Sequence, residues 1–130
     1  MPTRLVILGR PITSKNSSVI IMLGKAGAKR PVPIPSKQAR DYFKLAIPQL
    51  QAQWTWEPIA IPVNLCARVY RERAWGDLGN YLAAICDILQ KAAVVENDKW
   101  ILGFDGSRLD KDAENPRVEI VISRLEDGGI

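Results

Sequence analysis

Between residues 61 and 92 the hydrophobic period of the chain changes from two to about 3.6, and this change constrains the fold more than any other feature. Ile61, Val63, Leu65, Ala67 and Val69 recur at every second position, with Asn64 and Arg68 between them. That is the pattern of a half-buried strand over 61–70. From Asp77 onward the spacing becomes helical. Leu78, Tyr81, Leu82, Ile85, Ile88, Leu89 and Ala92 cover one broad face, and Asp77, Asn80, Asp87 and Lys91 share another, within an arc of roughly 80°. A helix capped by Asp77 and running to about Ala92 is predicted, its apolar face packed on a sheet that contains 61–70 and 117–123.

The flanks supply the rest of that sheet. Arg4–Leu8 and Val19–Leu23 read as strands, separated by a polar turn from Pro11 to Ser18. The stretch from Gly24 to Pro35 carries three prolines and two glycines, which rule out a regular helix and leave an extended arm or a hairpin tip. Ser36 is a candidate N-cap for a helix to about Leu50, which Pro48 should kink or end early. Residues 51–58 read as a loop around Trp54 and Trp56, and the tryptophans read as core. Lys99–Phe104 reads as a strand, 105–116 as a turn-rich loop, and Val118, Ile120 and Ile122 mark the last strand. The order β-β-α-β-α-β-β predicts an α+β class, a mixed sheet with two main helices packed on it. A length of 130 residues fits one domain, 1–130.

Composition narrows the chemistry. The chain has no histidine, so Ser-His-Asp hydrolysis, imidazole acid–base catalysis and His-ligated zinc are excluded. Any hydrolysis must rest on carboxylates, lysine or a metal held by oxygen. Residues 1–73 hold 12 Lys/Arg against 3 Asp/Glu, and residues 74–130 hold 6 against 11. A basic half suits phosphates and an acidic half suits cations. Cys66 and Cys86 each sit in an apolar pattern without a CxxC partner and read as buried free thiols, as in a reducing cytoplasm. No run reaches the ~18 apolar residues of a membrane span, and no secretion signal is expected.

The segment Asp77-Leu78-Gly79-Asn80, followed by Cys86-Asp87 and Asn97-Asp98 after the basic run Arg71-Glu72-Arg73, resembles the core of the RusA-type Holliday junction resolvases. Asp105-Gly106-Ser107-Arg108 and Glu114-Asn115-Pro116-Arg117 resemble its phage-associated branch. The resemblance implies a RusA-like fold and divalent-metal-dependent hydrolysis of branched DNA, four-way junctions above all, by a homodimer in the cytoplasm of a bacterium or phage host. It implies Mg²⁺, or Mn²⁺, on Asp77, Asp98 and Asp87, with Asn80 orienting a carboxylate or phosphate. A shared ion requires that the strand after the helix return Asp98 beside Asp77. Two positions depart from the family: its second catalytic Asp falls on Gly79 and its catalytic Lys on Ala83. Lys25, Lys29, Arg30, Arg68, Arg71, Arg73, Lys91 and Arg108 are the candidate DNA-binding residues. The rival readings are a non-catalytic binder of branched DNA and a small basic RNA-binding protein.

Overall fold

A computed structural model describes residues 2–12, 18–24, 30–74 and 76–125, with 18–23 and 30–35 described by their backbone. The α+β class holds. Ten elements follow in order: β1 (Thr3–Leu8), β2 (Ser18–Leu23), β3 (Arg30–Pro35), α1 (Lys37–Gln53), β4 (Val63–Arg71), α2 (Leu78–Lys91), a 3₁₀ turn (Asp98–Trp100), β5 (Ile101–Gly103), β6 (Arg108–Lys111) and β7 (Arg117–Arg124).

The long alternating run becomes the organising strand. β4 pairs antiparallel with β7 on one edge, and β5 and β6 align parallel to it, one after the other, along its second edge. β1 completes the sheet on the far side of β7. Leu65, Ala67 and Val69 lie fully buried beneath the helices with Val118, Ile120, Ile122, Leu5 and Ile7. Of the predicted helical face, all but the half-buried Leu78 are buried. Ile61 breaks the expected alternation: it precedes the strand and is exposed, because pairing starts only at Val63.

Four local expectations are corrected. β6 lies inside the region read as a loop; with Leu109 its single apolar residue, it shows no period in sequence and exists because β4 offers a free edge. Lys99 and Trp100 belong to the 3₁₀ turn rather than to the strand. Trp56 is 70% exposed, packed edge-on against Trp54 rather than in the core. Pro48 does not end α1, which runs to Gln53. Pro48 faces solvent, Leu50 beyond it is fully buried, and Gln49 and Gln53 hold the last turns to β1. The Ser36 cap is borne out, its hydroxyl accepting from the Ala39 N–H at 3.2 Å.

Those glutamines close an open sheet edge. The Val6 N–H donates to Gln53 Oε1 (2.9 Å) and Gln53 Nε2 donates to the Val6 carbonyl (2.7 Å). Gln49 does the same for Leu8, at 2.8 and 3.0 Å. Two side-chain amides thus stand where a neighbouring strand would stand, which blunts edge-to-edge pairing. Replacing both with alanine removes all four hydrogen bonds to β1. The expected loss is about 1–3 kcal/mol in urea unfolding, with concentration-dependent association visible in light scattering.

The described part of the proline-rich stretch that follows Gly24, residues 30–35, is a strand. β3 pairs antiparallel with β2 in a separate two-stranded sheet. Pro31, Pro33 and Pro35 recur at every second residue, so their missing N–H groups fall on one edge. The N–H groups of Val32 and Ile34 remain for the ladder.

Candidate functional site

Asp77 occupies the N-cap position of α2 with an extended backbone (φ −103°, ψ 145°), but its carboxylate makes no cap hydrogen bond. Its carbonyl, not its side chain, accepts from the Asn80 and Tyr81 N–H groups, at 3.1 and 3.2 Å. The expected cap is therefore corrected. The carboxylate is exposed and has no salt-bridge partner among the described residues. Asn80 lies half-exposed one turn further along.

Cations gather at this end of the helix. Arg71, the last residue of β4, donates from Nε to the Asp110 carbonyl (3.3 Å) and from Nη1 to the Gly76 carbonyl (3.5 Å). It ties β4, β6 and the link into α2 together, at the residue just before Asp77. Gly76 adopts φ 79°, and a Cβ there would meet the Tyr81 ring at 2.9 Å, so only glycine fits the link. Burial raises the Tyr81 phenol, while the nearby Arg71 and Arg10 charges oppose that rise. Arg10, which forms a 3.8 Å pair with Glu72, was not among the candidates; it sits after β1 and no local pattern marks it.

The other basic candidates divide. Arg73 is exposed just past β4. Arg68 and Arg108 are register partners across β4 and β6, on the sheet face turned away from the helices; Arg108 pairs with Asp110 at 3.0 Å. Lys91 pairs with Asp87 at 3.3 Å and lies over the Phe43 ring at 5.0 Å. Lys25 and Lys29 lie outside the described residues, as does the side chain of Arg30.

Asp98 stands elsewhere. The strand after α2 does return to β4, as a shared ion required, but β5 joins it at Val63 and Asn64, the beginning of β4, whereas α2 starts from its end. Asp98 precedes β5, and its N–H donates to Gln90 Oε1 at 3.1 Å in the last turn of α2. Asp77 and Gln90 are thirteen residues apart on one helix, a separation of about 20 Å. Asp87 lies nearer: burial pushes the Cys86 thiol up to about 11, and the charges of both Asp98 and Asp87 add to the effect. One chain thus brings Asp87 and Asp98 to the end of α2 and leaves Asp77 and Asn80 at its start. Among the described residues no three acidic or cysteine side chains gather to hold a metal. The oxygen donors suit Mg²⁺ in kind; their placement in a single chain does not.

The two branch motifs have structural work. Asn64 accepts from the Asp105 N–H (2.8 Å) and donates to its carbonyl (3.1 Å). Ser107 Oγ accepts from the Ala67 N–H (2.9 Å) and donates to the Leu65 carbonyl (3.1 Å), filling the ladder between β5 and β6. Gly106, at φ 86°, makes the turn. Arg117 bridges Asp112 and Glu119, both at 2.9 Å, with its guanidinium 3.9 Å from the Tyr70 ring centre. The two motifs anchor the strands that flank β4.

No helix among the described residues is long and apolar enough to cross a membrane. No curated protein matches the chain. A family model, Endodeoxyribonuclease RusA, matches residues 9–123, from the end of β1 to the last strand. The protein, whose α2 follows directly on Asp77, belongs to the RusA endodeoxyribonuclease family.

Proposed function

We propose that the protein is a structure-selective endonuclease that resolves four-way and other branched DNA by divalent-metal-dependent phosphodiester hydrolysis. One observation carries this reading: within a chain matched by the family, Asp77 stands at the start of α2 with a carboxylate that makes no cap hydrogen bond and no salt bridge among the described residues, one residue after the carbonyl that Arg71 binds. An unspent carboxylate at a helix start that Arg71 and Arg10 also approach suits a phosphate-binding, cation-assisted site. With no histidine in the chain, proton transfer falls to carboxylates, lysine or a metal-bound water. Arg10, Arg68 and Arg73 approach the backbone of DNA, which selects charge and shape rather than sequence. A homodimer matches the two-fold symmetry of a four-way junction, one site to each of two opposed strands.

Two outcomes check the binding surface. Junction affinity falls about a thousandfold or more between 50 and 200 mM salt if six or more phosphates are engaged. Arg68→Gln with Arg73→Gln weakens binding to every DNA shape alike and reduces the salt slope by about two, read by fluorescence anisotropy. Arg71 is left out of that pair because its loss also frees the Gly76 link.

The departure at Gly79 is open to repair. A Cβ on Gly79 meets nothing within 4 Å, so Gly79→Asp starts a side chain two residues from Asp77 in open space. Its expected result is faster junction cutting in Mg²⁺. An unchanged rate would show that activity here does not depend on a second acid at that turn.

A further inference from the structure

We infer that a cavity between α1 and the chain leaving β1 receives one unstacked base of the DNA, and that it takes bases with an exocyclic amino group in preference to thymine. The inference rests on the nuclease reading and deepens it. The cavity measures about 290 Å³ and is lined by Arg10, Ile12, Gln38, Asp41, Tyr42 and Leu45. That is the small end of the ~300–1,000 Å³ range of ligand pockets, and it suits one flat ring.

Helical spacing builds one wall. Gln38, Asp41, Tyr42 and Leu45 stand at i, i+3, i+4 and i+7 of α1 and share a side of it. The second wall is the chain that follows β1. Gly9 turns there with φ 114°, and a Cβ on it would meet Leu45 Cδ2 at 2.7 Å. The chain thus passes directly against α1, and Arg10 and Ile12 follow over the helix. Arg10 also pairs with Glu72 at 3.8 Å, and its charge reaches Tyr81 in the first turn of α2. The cavity therefore adjoins the helix start at which Asp77 stands.

The lining divides by chemistry. Ile12, Leu45 and the buried Tyr42 offer apolar surface to a ring. The rim is polar and largely uncommitted. Gln38 is exposed, and its amide makes no hydrogen bond among the described residues. Asp41 Oδ2 accepts from Lys37 Nζ at 2.8 Å, while Oδ1 accepts from none of the described residues. The Lys37 hydrogen bond holds the Asp41 carboxyl below its usual range, so at neutral pH the group is ionised and only accepts. A carboxylate accepts from the N4 amino group of cytosine, and a glutamine amide matches the N6–N7 edge of adenine. Thymine instead turns carbonyl oxygens toward the carboxylate. Arg10 and Lys37 remain at the mouth for the adjoining phosphates. A base that has already lost its pairing leaves the stack at least cost, and a branch point supplies such bases.

Calorimetric titration of the whole protein with the four deoxynucleoside 5′-monophosphates and with deoxyribose 5-phosphate, all in chelator, tests the cavity without the metal. The amino-bearing nucleotides are expected to bind about tenfold more tightly than the thymidine nucleotide, and the sugar phosphate more weakly still. Asp41→Asn lies on the exposed side of α1 and is expected to bring thymidine within about twofold of cytidine, because an amide also donates. Amide shifts on adding the cytidine nucleotide centre on Gln38, Asp41 and Leu45. On DNA, short deoxycytidine homopolymers bind about fivefold more tightly than thymidine homopolymers in fluorescence anisotropy, and Asp41→Asn removes the difference. Equal affinity for all four nucleotides and the sugar phosphate, no nucleotide binding at millimolar concentration, or an order unchanged by Asp41→Asn overturns the inference. The expected order in a protein that cuts no branched DNA would overturn the nuclease reading and leave the cavity assigned. Junction cutting without any base discrimination would do the opposite.

Discussion

Asp77→Asn and Asp98→Asn are each expected to reduce junction cutting by a hundredfold or more while junction binding holds or tightens. The physical reason is that each change removes one negative charge and leaves the shape of the side chain almost unaltered. At Asp77 the usual confounding effect is absent. An N-cap aspartate contributes ~1 kcal/mol through its hydrogen bond, but this carboxylate makes none, and asparagine caps as well as aspartate. At Asp98 it is the main-chain N–H that binds Gln90, so the substitution leaves that tie in place. Thermal unfolding of both variants should match the wild type. A lost rate without lost stability assigns the carboxylates to the reaction. Full wild-type cutting by both variants would remove them from it.

The largest stability effect is expected from Leu65→Ala, at about 2–5 kcal/mol in chemical denaturation. Leu65 is fully buried in β4, the strand on which β7, β5 and β6 all depend. Its main chain also receives the Ser107 hydroxyl, so a cavity here loosens the join between β5 and β6 as well as the core. Val121→Ala, on the half-exposed face of β7, should cost far less, because little packing is lost there. Equal costs at the two positions would contradict the assignment of the helix-covered face as the core.

How much of this was legible in the sequence depended on whether a residue's partner was local. β4, α2 and β7 carry clean periods, because one face of each meets the core, and apart from Ile61 and the half-buried Leu78 their apolar residues lie where the periods put them. β6 carries none, since Arg108-Leu109-Asp110-Lys111 is a strand only by virtue of the edge beside it. Pro48 signalled an end to α1 that Gln49 and Gln53 override through contacts more than forty residues away. The site shows the same divide. Asp77, Asn80 and Asp87 were placed on one side of one helix by spacing alone. That Asp98 returns to Gln90 rather than to Asp77 depends on where β5 joins β4, which no spacing encodes. Arg10 reaches the start of α2 from the end of β1, and Asn64 and Ser107 act across the sheet; none has a neighbour in sequence that announces its role.

Cutting of branched DNA by this chain is tested most directly by incubating the wild-type protein with an end-labelled four-way junction in Mg²⁺, in Mn²⁺ and with a chelator. The expected result is paired nicks on opposed strands near the branch point, absent with the chelator and absent on a linear duplex of the same sequence. Tight junction binding with no nicking in either metal would contradict it and identify a binding protein that kept the fold without the chemistry. Equal affinity for plain RNA hairpins would contradict it from the other side.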